Sequence, residues 1–325
     1  MKKISKLEFQ FNSIKMKLSL FLIFGLFSLS LTAQNSADQK TFLKDIPYKI
    51  IEKDTVKLDI HLPKQNIYEK SPVVVFIHGG AWAQGDKEIK YHYTEGIKDT
   101  LQENGYTVVA INYRLVSKTV DIAEQLSDCK DAIHWIIDNA DEYNFDTENI
   151  GLWGESAGAH LALMIACTTE QSNDSPKIRF ILDNFGPIDL NKVLKTNASW
   201  FTKKTYKLFL PKLYDIREKL IFAMTSYDIN TNKEEAIAVA RQYSPIEHLQ
   251  TAPKIPILIL HGNRDFIVPF KQSKKLHKEL NKLSVTNKLI KVKKGNHGFT
   301  KTDKKEIHHL IKESFVFVQQ HYHKK

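Results

Sequence analysis

Four short motifs carry groups that could together make and break an acyl bond. Gly154-Glu155-Ser156-Ala157-Gly158 follows an apolar run at residues 149–152 and leads into another at 159–166. A serine on a sharp strand-to-helix turn is forced into an unfavourable backbone conformation and presents its hydroxyl above the sheet; the glycines two residues to either side avoid collision with the neighbouring strand or helix. A serine hydroxyl is a poor nucleophile near neutrality, so it needs an imidazole to accept its proton and a carboxylate to hold the imidazole's tautomer. His297 lies in Gly295-Asn296-His297-Gly298, directly after the run 288–292, and Asp265 ends His261-Gly262-Asn263-Arg264-Asp265, directly after the run 255–260. Both therefore belong in loops at one sheet edge, and Asp189 and Asp228 are the competing acids. The run 72–77 ends in His78-Gly79-Gly80-Ala81-Trp82. The N–H groups of Gly79 and Gly80, with that of Ala157, would form an oxyanion hole. Trp82 and Glu155, beside these groups, are the candidate substrate contacts; the alternative for Glu155 is a hydrogen bond to the elbow's surroundings.

The elements around these motifs follow from hydrophobic patterning. Runs at 48–52 and 56–62 flank Lys53-Asp54-Thr55 and suggest a hairpin at a sheet edge. Runs at 72–77, 107–112, 149–153, 178–182, 255–260 and 288–292 are short and apolar on both faces, and most are separated by helical periodicity, as at 121–140 and 302–320. Such strands form a parallel sheet covered by helices on each side, an α/β fold. Residues 186–250 break the alternation, with Trp200, Phe201, Tyr206, Phe209, Tyr214, Phe222 and Tyr227 among lysines and asparagines. They read as a helical insertion or lid above the sheet, whose aromatics either line a substrate pocket or pack the insertion onto the body.

Composition excludes other classes. The 325 residues are 42% hydrophobic and 26% charged, an ordinary globular balance, and two cysteines cannot build a disulfide framework. Cys129 falls on the apolar stripe Ile122, Leu126, Cys129, Ile133, Ile136, so buried free thiols are expected of Cys129 and Cys167. The net charge is +10, with 17 Lys and Arg against 5 Asp and Glu in residues 251–325. Lacking an arginine cluster or interleaved aromatics, that excess reads as solvated helix faces, and no nucleic-acid partner is expected. His308, His309, His321 and His323 lack a partnering carboxylate loop, so no metal site is expected either.

The start of the chain reads as an address. Five lysines precede an apolar stretch at residues 18–31, followed by Thr32-Ala33-Gln34. That order is expected of a secretory signal peptide spanning residues 1–33, with Met16 an alternative start. The stretch is short for a membrane span, so no stable insertion is expected, and the localisation implied is secreted or periplasmic.

At these residues the chain resembles α/β-hydrolase esterases of the HGG type, related to hormone-sensitive lipase and especially to their bacterial feruloyl-esterase-like and arylformamidase-like branch. The matching pieces are the four motifs above with Gly85-Asp86-Lys87, Asn112-Tyr113-Arg114-Leu115 and Ala159-His160-Leu161-Ala162. The resemblance implies a serine carboxylesterase using Ser156, Asp265 and His297 without a cofactor, with Asp86, Tyr113 and Arg114 bracing the oxyanion loop. It differs at Ala81, where the longer motif has a third glycine, and at Glu155, where relatives often carry aspartate. By analogy alone the substrates are small-molecule or glycan-linked esters, acetyl or hydroxycinnamoyl. A peptidase or amidase of the same fold, and a catalytically silent binding module, are the competing readings.

Overall fold

The computed structural model describes residues 41–52, 54–169 and 175–323, so the expected signal segment lies outside the described residues. In chain order the elements are β1 (Phe42–Ile51), β2 (Asp54–His61), β3 (Ser71–Ile77), α1 (His92–Glu103), β4 (Thr107–Ile111), α2 (Ile122–Asp138), α3 (Ala140–Tyr143), β5 (Phe145–Glu155), α4 (Ala157–Thr168), β6 (Ile178–Asn184), α5 (Leu190–Val193), α6 (Trp200–Phe209), α7 (Pro211–Thr225), α8 (Lys233–Gln242), β7 (Ile257–Gly262), α9 (Lys271–Lys282), β8 (Asn287–Val292) and α10 (Lys304–Gln320). The strands form one sheet in the order β1-β2-β4-β3-β5-β6-β7-β8. β1 pairs antiparallel with β2, and β2 with β4, while β3 to β8 run parallel. Each parallel neighbour needs a crossover, which puts helices on both faces.

That covering explains why Val73, Val74, Val75, Phe76 and Ile77 are all buried and show no polar alternation. On one face Val73, Val75, Ile77, Ile150 and Leu152 pack with Ile133 and Ile136 of α2 and Leu161 and Ile165 of α4. On the other Val74, Phe76, Trp153, Leu182 and Leu258 pack with Ile97 and Leu101 of α1 and Leu310 and Phe317 of α10. Helix α2 is started by Asp121, which accepts from Ala123 N–H (2.7 Å) while Glu124 accepts from Asp121 N–H (2.8 Å), a reciprocal cap that satisfies two otherwise orphaned donors.

The expected insertion consists of α5 to α8 and a 3₁₀ turn, Pro245–Glu247. Ile188, Leu190, Leu194, Ile221, Met224 and Ile229 join the first core, whereas Phe201, Leu208, Phe209 and Ile216 remain exposed. Both cysteines are free; Cys129 is buried as the stripe predicts, but Cys167, near the end of α4, is half-buried.

Lys87 joins the edge hairpin to the loop after β3. Its buried ammonium lies 2.8 Å from Asp45 and 3.2 Å from Asp59, itself buried in β2. Burial alone would lower the Lys87 pKa, but these carboxylates raise it. Lys87→Met would strand the Asp59 charge, and removing one partner of a buried pair costs about 3–5 kcal/mol. Urea unfolding should show the midpoint falling accordingly, and a wild-type midpoint would mean the pair is energetically silent.

Candidate active site

Ser156 sits between the end of β5 and the start of α4 with φ 53° and ψ −116°, a strained conformation costing on the order of 1–3 kcal/mol. Crowding holds it there. A Cβ on Gly158 would lie 2.0 Å from the carbonyl oxygen of Ile77, so α4 can start this close to β3 only with glycine at that position.

The hydroxyl reaches an imidazole and a carboxylate in line. Ser156 Oγ lies 3.0 Å from His297 Nε2, and His297 Nδ1 lies 2.6 Å from Asp265 Oδ2. A carboxylate can only accept, so Nδ1–H donates to Asp265, leaving Nε2 free to accept the serine proton. Asp265 Oδ1 accepts from the N–H groups of Ile267 and Val268, each at 2.9 Å. His261 Nε2 lies 3.2 Å from Asp265 Oδ2 and 2.9 Å from the Val268 carbonyl, while its Nδ1 takes the Ser273 hydroxyl at 2.7 Å. Burial on its own would raise the Asp265 pKa, but hydrogen bonds from His261 and His297 hold it well below the usual carboxylate range, so Asp265 stays ionised. The competing acids lie elsewhere: Asp189 caps α5 through Lys192 N–H at 3.1 Å, and Asp228 accepts from Asn230 N–H at 2.7 Å.

The loop after β3 passes directly beside the serine. A Cβ on Gly79 would lie 3.3 Å from that of Ser156. Gly80 has φ 122°, and Ala81 and Trp82 follow at 51° and 62°, so the loop keeps the left-handed backbone of a glycine run although Ala81 replaces one glycine. Among the described residues no turn, loop or cap hydrogen bond occupies the N–H of Gly79, Gly80 or Ala157. Three braces fix the loop. Tyr113 donates to the His78 carbonyl at 3.0 Å and stacks on its ring, with centroids 4.4 Å apart. Asn112 accepts from Lys87 N–H at 2.6 Å and donates to Asp86 at 3.1 Å. Arg114, held by a two-point contact to Asp128 at 2.8 and 2.9 Å, offers its carbonyl to Gln125, which also holds the Trp82 carbonyl.

A cavity of about 540 Å³ opens over the serine on the α1 side of the sheet, walled by Phe76, the 78–80 turn, Asp86, Tyr91, Glu155, Phe185, His297 and Thr300. Its volume is in the range of small-molecule sites. Glu155 alternates with Trp153 onto this face and reaches the cavity. Its carboxyl has no hydrogen-bond or ion-pair partner among the described residues, so it does not tie down the elbow, and burial pushes its pKa up to about 8.

Trp82 requires a correction: it is not a cavity residue. Its positive φ turns the ring to the opposite face, where it is buried in the first core and its Nε1–H donates to His160 Nδ1 at 3.3 Å. Among the described side chains the insertion likewise adds none to the cavity, and those of Phe222 and Tyr227 face solvent.

Two residues escaped the sequence reading. Phe185 meets the His297 ring edge-on, with centroids 4.7 Å apart, and His261 supports Asp265 from behind. Phe185 follows the carboxyl end of β6, the edge where parallel sheets place their sites, and that position was its signal.

The family model BD-FAE matches residues 58–280, more than half of the chain. The chain belongs to the BD-FAE family. Among curated relatives it is 27% identical to Esterase LipC of Mycobacterium tuberculosis over 76% of its own length, and 25% identical to the non-reducing polyketide synthase atr1 of Stereocaulon alpinum over 78%. It spans 57% and 12% of those two proteins. Among solved structures, a truncated carbohydrate esterase from gut microbiota superposes with a TM-score of 0.64 at 23% identity, covering 86% of this chain and 96% of that one. This BD-FAE chain thus has the α/β-hydrolase fold.

Proposed function

We propose that the protein is a serine carboxylesterase. Ser156 attacks an ester carbonyl while its proton passes to His297 Nε2, and the developing oxyanion takes the N–H groups of Gly79, Gly80 and Ala157. His297 then gives that proton to the departing alcohol, leaving an acyl group on Ser156. Water, deprotonated by the same imidazole, releases the acid and restores the hydroxyl, and Asp265 holds the imidazole in register throughout. The observation that carries this reading is the unbroken line from Ser156 through His297 to Asp265 at the mouth of the cavity.

The substrate class proposed is acetyl or hydroxycinnamoyl esters of glycans, met outside the cytoplasm by a chain that has lost residues 1–33. The polar walls at Asp86, Tyr91, Glu155 and Thr300 support it, as does the kinship in fold to a carbohydrate esterase. The test is to express the full chain, sequence the amino terminus of the enzyme recovered beyond the inner membrane, and offer it acetylated xylan, methyl ferulate, short p-nitrophenyl esters and N-formylkynurenine. Gln34 at the amino terminus and turnover of the glycan and ferulate esters are expected. Faster cleavage of N-formylkynurenine would make it an amidase instead.

A further inference from the structure

We propose that Glu155 selects esters whose alcohol half carries a free hydroxyl group, by hydrogen-bonding that hydroxyl within the cavity. The inference rests on the ester-hydrolase reading above and deepens it. Glu155 precedes the nucleophile in the chain, projects to the cavity face of the sheet, and has no partner among the described residues. The half-buried carboxyl faces the open cavity rather than protein, so a substrate group that displaces water there gains a hydrogen bond no side chain already takes.

The neighbours decide what that partner is. Asp86 is already satisfied by Asn112 and by Glu88 N–H (2.9 Å), and Glu88 pairs with Lys90 at 2.6 Å, so Glu155 is the cavity carboxyl with unused capacity. With its pKa pushed to about 8 it is mainly protonated at neutral pH, able both to donate to a hydroxyl and to accept from one. His297 borders the same cavity and must protonate the departing alcohol, so the alcohol half enters the space that Glu155 and His297 both line, and the contact is assigned to that half.

A matched pair of acetates tests this: kcat/KM for glyceryl monoacetate and for propyl acetate, measured on the wild type, Glu155→Leu and Glu155→Gln. The wild type should prefer the hydroxylated ester by about tenfold or more, the scale of one well-placed hydrogen bond. In Glu155→Leu the ratio should collapse to about one through a rise in KM for glyceryl monoacetate, and in Glu155→Gln, which keeps a donor and an acceptor, it should stay within about threefold of wild type. Labelling of Ser156 by a fluorophosphonate checks that each variant keeps its elbow.

Equal turnover of both acetates by the wild type overturns the role of Glu155 alone. So does an equal loss on both in Glu155→Leu, which would make the residue a support for the elbow. A preference appearing instead between methyl lactate and methyl propionate would move the contact to the acyl half and overturn the assignment. A folded wild type that cleaves neither acetate sinks the ester-hydrolase reading, and this inference with it.

Discussion

Ser156→Ala is expected to lower p-nitrophenyl acetate turnover by on the order of 10⁶-fold, the loss seen when the nucleophile of a serine triad is removed. Without Oγ no acyl-enzyme forms, and the remaining oxyanion donors act only on attacking water. Alanine fits the strained turn as well as serine does, because only one oxygen is deleted and no contact of Gly158 with β3 changes. The thermal midpoint should therefore move little, and a fluorophosphonate that labels the wild type should leave the variant unmodified. Full activity in the variant would refute the nucleophile, and a folded wild type that resists the label would favour a silent binding module.

Asp265→Asn is expected to cost about 10⁴-fold in kcat, and the surroundings of Asp265 explain why the substitution cannot escape by flipping its amide. Oδ1 receives two backbone N–H groups, from Ile267 and Val268, so the asparagine oxygen is held at that position and its NH₂ is turned toward His297 and His261. An NH₂ group can only donate, so His297 must present a bare Nδ1 to it and carry its proton on Nε2. That tautomer cannot accept the Ser156 proton. Asp189→Asn should leave kcat close to wild type, since Asp189 caps α5; a loss of the Asp265→Asn size at position 189 would show the acid to be misassigned.

Much of this arrangement could be read in the chain. All eight strands overlap apolar runs, although β1 starts at Phe42 and β5 at Phe145, ahead of the runs at 48–52 and 149–153, and the elbow, both glycine turns and the two distant loops fall where strand ends and turn residues put them. What could not be read depends on handedness and facing. Trp82 lies two residues from Gly80, and nothing in the motif says that Ala81 and Trp82 take positive φ and swing the ring to the far side of the sheet. The free carboxyl of Glu155 was equally hidden, because strand parity gives its face while its lack of a partner depends on what α1 and the 84–94 segment leave unfilled. His261 looked like part of a turn; its contact with Asp265 appears only once the chain reverses so that Val268 and Asp265 meet over its ring.

The segment between β6 and β7 buries Leu194, Ile221 and Met224 on the face away from the cavity, and none of its described side chains joins the cavity walls. Among the described side chains, cavity wall and bulk therefore come from separate stretches of this protein. Within the segment from 186 to 250 the described inner side chains can be exchanged for others equally greasy, provided that the seams at Gln272 and His160 are kept, and the loop tips around the serine stay as they are.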